Sequence, residues 1–151
     1  MNQLNQDGIN AHNEYRARHG VQPLTYNKKL ADYAQRWAEH LASVDRMYHS
    51  NTNAVGYGEN IAYGYGQAVS GRTASKWWYD EINDYNFNSG SRKFFSFGKQ
   101  IGHFTQLVWK NTKEVGFGSA RASNGGVYVV ANYYPPGNVQ GHYLSNVFPP
   151  K

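Results

Sequence analysis

Two runs in the last third of the chain, EVGFGSARA (114–122) and VYVVANYY (127–134), flank the turn-forming SNGG (123–126). The runs alternate or carry branched and aromatic residues, and an asparagine-glycine pair between such runs reads as a β-hairpin. A hairpin this apolar needs cover, and the rest of the chain offers helices to supply it. From about Asn27, residues Leu30, Ala34, Trp37, Ala38 and Leu41 recur at the spacing of one buried helical face. NAHNEYRARHG (10–20) reads as a more polar first helix stopped by Gly20. In RTASKWWYDEINDY (72–85), Ala74, Trp78, Ile82 and Tyr85 share a helical face with Glu81 beside it, and HFTQLVWK (103–110) reads as a helix of about two turns. The expectation is one α+β domain over 1–151, since no repeat, low-complexity tract or long linker divides the chain. YHSNTNAVGYGENIAYGYG (48–66) reads as a loop with a short strand at ENIAY, NFNSGSRKFFSFGKQ (86–100) as a loop with exposed aromatics, and the proline-rich tail as an ordered extension.

Composition removes several kinds of chemistry. With no cysteine, the chain can form no disulfide, thiolate metal site or cysteine nucleophile. Fifteen Lys and Arg against ten Asp and Glu give a net charge of +5, which favours acidic partners such as anionic lipid. The bases are scattered along the chain, which argues against nucleic acid as a partner. No run reaches the roughly 20 apolar residues of a membrane span, and the polar start MNQLNQDGIN is not a signal peptide. No HExxH, GxSxG or phosphate-loop spacing occurs. Of the six histidines, two have distinctive contexts. His103 follows Gly102 at an expected helix start, where the helix dipole suits a neutral ring able to ligate a metal. His49 stands at the mouth of the glycine-rich loop, and Glu59 and Glu81 are acids in apolar settings that call for a partner.

GHFTQLVWKNTKEVGFG (102–118) and YVVANYYPPGN (128–138) together resemble the two signature motifs of the CAP superfamily, which comprises cysteine-rich secretory proteins, antigen five and plant pathogenesis-related proteins. AHNEYRARHGVQPL, YHS, YGEN and WWYDEINDYNF resemble its other landmarks in the same order, and the cysteine-free VVANYYPPGNV and the tail NVFPPK are most like its Golgi-associated branch. The resemblance implies a three-layer α-β-α sandwich with a small antiparallel sheet between helices. It also implies a central cleft of two histidines and two glutamates, carried over motif by motif as His49, Glu59, Glu81 and His103. His49 and His103 are then expected to bind a divalent metal, zinc being the first choice, while Glu59 and Glu81 orient them or hold water.

For function, the resemblance implies a non-enzymatic module that binds sterol, fatty acid or acidic lipid and associates with membranes. The aromatic segment YNFNSGSRKFF, with Tyr85, Phe87, Phe94 and Phe95, is its expected lipid contact, although Arg92 stands where the family pattern has an aromatic. Two alternatives remain: a metal-dependent hydrolase using the same cleft, and a homo-oligomer that assembles on anionic membranes. The absent cysteines and signal peptide favour a cytoplasmic place or a peripheral one on Golgi-type membranes, with secretion as the alternative for a processed chain.

Overall fold

The first helix begins earlier than its apolar spacing suggests. The Asn2 side chain accepts the Asn5 N–H and caps α1, which runs Gln3–Arg18 rather than from Asn10. Its first turns carry little apolar signal because they are held by hydrogen bonds. Buried Asn5 donates from Nδ2 to the Phe117 carbonyl at 3.0 Å and accepts the Phe117 N–H, as a neighbouring strand would. The helix ends before Gly20, which has a φ of 71°. The computed structural model describes residues 1–88, the backbone of residues 95–96 and 99–100, and residues 101–151.

β1 (Thr25–Tyr26) leads into α2 (Lys28–Val44), which is capped by Asn27 through the N–H groups of Lys29 and Leu30. Leu30, Ala34, Ala38 and Leu41 are buried on its inner face, as the spacing requires. A short helix α3 (Thr52–Val55) precedes β2 (Gly58–Gly64), so the strand expected at ENIAY is present and extends by one residue at each end. α4 (Gly71–Tyr79) passes into a 3₁₀ turn at Asp80–Asp84, where one longer helix was expected. After the strand pair β3 (Phe95–Ser96) and β4 (Lys99–Gln100) come α5 (Gly102–Leu107), β5 (Glu114–Arg121) and β6 (Val127–Tyr134).

The main sheet has the order β1-β5-β6-β2. The β5–β6 hairpin lies at its centre, and β2 and β1 form the edges. β6 pairs antiparallel with both neighbours, but β1 runs parallel to β5, so the sheet is mixed rather than purely antiparallel. Two residues are too few to show a period in sequence; β1 is fixed by the Thr25 N–H to the Lys113 carbonyl at 3.0 Å and the Asn27 N–H to that of Val115 at 3.1 Å. α2 covers one face of the sheet over Ile61, Tyr128 and Val130. α1, α4 and α5 cover the other over Val115, Phe117, Val129 and Tyr133, completing the α-β-α sandwich. α2 lies close because β5 presents Gly116 and Gly118 beneath it. A Cβ on Gly116 would overlap the backbone of Leu30 and Ala31, and one on Gly118 that of Ala34 and Gln35.

A buried cation secures the end of α5. Arg16 donates from Nε to the Gln22 carbonyl at 2.7 Å, from Nη1 to those of Leu107 and Trp109, both at 3.0 Å, and from Nη2 to that of Thr112 at 3.1 Å. Burial pulls its guanidinium down to about 10 without removing its charge at neutral pH. The tail 135–151 packs Tyr143 and Val147 into the core and returns to α1, with the Lys151 N–H on the Arg18 carbonyl at 2.8 Å.

Candidate functional site

β2 is an edge strand, and its first residues open a cleft where the two faces of the sheet meet. The register pairs Glu59 with Asn132 and Asn60 with Ala131, so Glu59 shares the α2 face while Asn60 shares the opposite face with Tyr133. His49 approaches from the segment after α2, and His103 from the start of α5. Both line one cleft of about 360 Å3, along with Glu59, Asn60, Tyr57 and Gln106.

Each histidine rests on a carboxylate. His49 Nδ1 lies 2.8 Å from Glu59 Oε1, and His103 Nδ1 lies 2.6 Å from Glu81 Oε2. A neutral imidazole that donates from Nδ1 to a carboxylate keeps its lone pair on Nε2. Glu59 also accepts the Ser50 N–H at 2.9 Å, the Ser50 hydroxyl at 2.6 Å and the Asn132 amide at 3.0 Å. Burial alone would raise its carboxyl, but the bonds from His49, Ser50 and Asn132 outweigh that penalty and hold it below the usual carboxylate range. Glu81 accepts the backbone N–H groups of His103 at 3.0 Å and Phe104 at 3.2 Å, so it fixes both the ring and the backbone of His103. The Trp78 ring stacks on His103 at 6.1 Å.

The profile of the cysteine-rich secretory protein family, CAP, matches residues 9–133, a span that contains all four of these side chains. The chain belongs to the CAP family. It is 44% identical over 153 residues to the Golgi-associated plant pathogenesis-related protein 1 of Homo sapiens, covering 99% of this chain and 95% of that one. Among solved structures, that of BmVAL-1 superposes with a TM-score of 0.80 at 22% identity, covering 99% of this chain and 84% of that one. The structure of NaASP2 with Zn2+ gives a TM-score of 0.78 at 23% identity, covering 99% and 88%.

In this CAP domain the far wall of the cleft comes from residues that spacing did not single out. Gln106 accepts the Gly137 N–H at 2.8 Å and donates to Thr112 at 3.0 Å. Asn138, at a φ of 58°, donates to the Gly102 carbonyl at 2.9 Å and receives the Thr105 hydroxyl. The PPGN turn signal at 135–138 was the available clue to that wall. Asn60 donates to the His103 carbonyl at 3.1 Å and to the Tyr133 hydroxyl at 3.2 Å. Tyr133 in turn contacts buried His12 Nε2 at 2.7 Å, and burial pulls His12 down to about 3, keeping it neutral.

Two of the four expected lipid contacts, Tyr85 and Phe87, lie within the described residues. Tyr85 is only 7% exposed, packed beside Phe87 and Phe104, and its hydroxyl is buried without a hydrogen-bond partner among the described residues. Phe87 is half-buried against the same core. Both rings therefore pack against the core, which removes apolar surface from water. Phe94 and the side chain of Phe95 lie outside the described residues.

The donors present suit a divalent ion with few protein ligands. Two imidazole Nε2 atoms are left for it, and among the described residues no group of three or more His, Cys, Asp or Glu side chains is arranged to hold a metal. An ion held by two imidazoles keeps positions open for water or an anion.

Proposed function

We propose that this chain is a non-enzymatic CAP module that binds lipid, whether sterol, fatty acid or acidic lipid, and associates with membranes, and whose cleft holds a divalent ion, zinc by preference, on Nε2 of His49 and His103. The observation that carries the metal reading is the matched pair of histidines facing one cleft, each held at Nδ1 by a carboxylate. Borderline-soft imidazole nitrogens suit zinc, and the similarly folded NaASP2 has been solved with Zn2+. A bound ion supplies positive charge and open coordination positions at the cleft. His49 and His103 would supply the donors, and Glu59 and Glu81 hold the rings in place and fix their tautomers.

The state of the acids favours binding over hydrolysis. Both oxygens of Glu59 accept two hydrogen bonds each, and Glu81 accepts three. A general base needs a free lone pair aimed at water; Glu59 has none, and the one left to Glu81 is on a carboxylate that does not line the cleft. The membrane reading draws on the net charge of +5 and on the relationship to the Golgi-associated protein.

Calorimetric titration with zinc tests the cleft. The parent should bind, and His49→Ala/His103→Ala should not; unchanged affinity in the double variant moves the ion elsewhere. A mass spectrum of lipids extracted from the purified protein tests the lipid reading, and recovery of none would count against it. A chelator-sensitive peptidase or esterase activity that Glu59→Gln destroys would replace the module with a hydrolase.

A further inference from the structure

Charge is divided unevenly along this chain. Nine of the ten acidic residues precede residue 85, and Glu114 alone follows it, while seven of the fifteen Lys and Arg lie beyond that point. The C-terminal part folds around a second concavity, a groove of about 410 Å3 on the far side of Pro136 from the cleft. Its floor is Trp109, its basic residues are Lys110, Lys113 and His142, and no acid lines it.

The groove is held by hydrogen bonds that do not involve the basic side-chain nitrogens. Asn146 accepts the Lys110 N–H on its carbonyl and the Asn111 N–H on its side chain, both at 3.0 Å, and its amide returns to the His142 carbonyl at 2.9 Å. Lys110 and Lys113 are exposed, and neither forms an ion pair among the described residues. Exposed apolar side chains belong to the same part of the chain: Val139, which lines the groove, is 44% exposed, Leu144, between the lining residues His142 and Ser145 in sequence, 57%, and Tyr134, whose carbonyl receives the Lys113 N–H, 47%. Lys110 Nζ lies over the Phe148 ring at 5.9 Å, and exposed cations with no carboxylate partner, bordered by apolar residues, suit a boundary where phosphate and hydrocarbon meet, because each kind of side chain finds its partner at a different depth.

We propose that this groove is the face on which the domain docks to an anionic bilayer, with lipid phosphates meeting Lys110 and Lys113 while Val139 and Leu144 enter the headgroup boundary. The inference rests on the membrane-associating reading above and names its surface.

The test is co-sedimentation of the full chain with vesicles of phosphatidylserine and phosphatidylcholine, against phosphatidylcholine alone. The parent should bind the first and not the second. Each cation near such a surface is worth about fivefold in partitioning, so Lys110→Glu/Lys113→Glu should weaken binding by at least about 25-fold. Arg36→Glu/Arg121→Glu changes the net charge equally on exposed residues elsewhere, Arg121 being at the opposite end of β5 from Lys113, and should lose far less. Val139→Ser/Leu144→Ser should also weaken binding, with melting temperature reported for every variant. Lys110→Gln/Lys113→Gln serves if the reversal fails to fold.

If the parent binds no vesicle, the membrane reading fails and takes the groove with it. If the parent binds and the groove variants bind equally well, or if both charge reversals lose the same amount, the groove is overturned and the membrane reading stands. Titration of inorganic phosphate separates the remaining case. Phosphate binding lost in the lysine variants, with vesicle binding untouched by Val139→Ser/Leu144→Ser, would mark a site for soluble phosphate and overturn docking.

Discussion

The two histidine-carboxylate pairs of the cleft have the same chemistry and opposite construction. In the Glu59 pair the acid is sunk in the sheet, with its side chain 1% exposed, and holds a histidine that is 60% exposed. In the Glu81 pair both partners are largely covered, with 17% and 19% of their side chains exposed. Glu59 joins elements distant in the chain, tying the segment after α2 to β2 and to Asn132 of β6. Glu81 serves one element, since all its bonds go to the first residues of α5. One acid therefore organises the fold around the cleft, while the other sets the aim of a single ring.

The largest expected contrast is in stability. Glu59→Ala strands the donors of Ser50 and Asn132 in a buried place and should cost about 3 kcal/mol, whereas Glu81→Ala, with more solvent to replace it, should cost about half as much. Urea unfolding measures both, and equal losses would erase the distinction. Next comes metal affinity, where the order should invert. Glutamine at either position keeps the shape but loses the charge that sets the tautomer, a change usually worth about 10 to 100-fold. His49 can take water in place of its acid, so Glu59→Gln should fall near the lower bound, and the more enclosed His103 should put Glu81→Gln near the upper. Zinc titration of the two variants decides the order.

The smallest contrast is in pH dependence. Glu59 is depressed in the folded state, so its contribution is complete above its ordinary value of 4.5 and is lost as pH falls through the lower folded value. His12 gives a background in the same direction: neutral in the fold down to about 3 but protonated below 6.5 when unfolded, it lowers stability by at most about 1.4 kcal/mol per pH unit across that window. Unfolding of parent and Glu59→Gln should thus run in parallel from pH 7 to 5 and converge below 4.5. Convergence at higher pH would assign the depressed acid elsewhere.

What the sequence made legible followed physical periodicity. α2 and the β5–β6 hairpin bury continuous apolar faces, and their residues repeat accordingly. The first turns of α1 and the strand β1 are held by side-chain and backbone hydrogen bonds, which leave no period to read. The cleft residues His49, Glu59 and His103, and Glu81 behind His103, lie within short motifs, but nothing in their spacing brings residues 49, 59, 81 and 103 together; family resemblance selected them and the layered fold assembles them. Tyr85 shows the opposite limit. Its place on the shared face with Ala74 and Trp78 correctly implied burial, and the aromatic-loop reading assigned the same ring to lipid.

The two glycines of β5 carry a consequence for how this protein varies. Because α2 rests directly on Gly116 and Gly118, no side chain of any chemistry fits at either position without lifting the helix, and with it the segment that carries His49. A saturation scan selecting for cleft function would therefore find these positions as intolerant as His49 and His103, although neither glycine lines the cleft. Assaying abundance alongside function would separate the two kinds of intolerance: at the glycines both readouts should fall together, whereas at the cleft histidines function should fall while abundance stays near that of the parent.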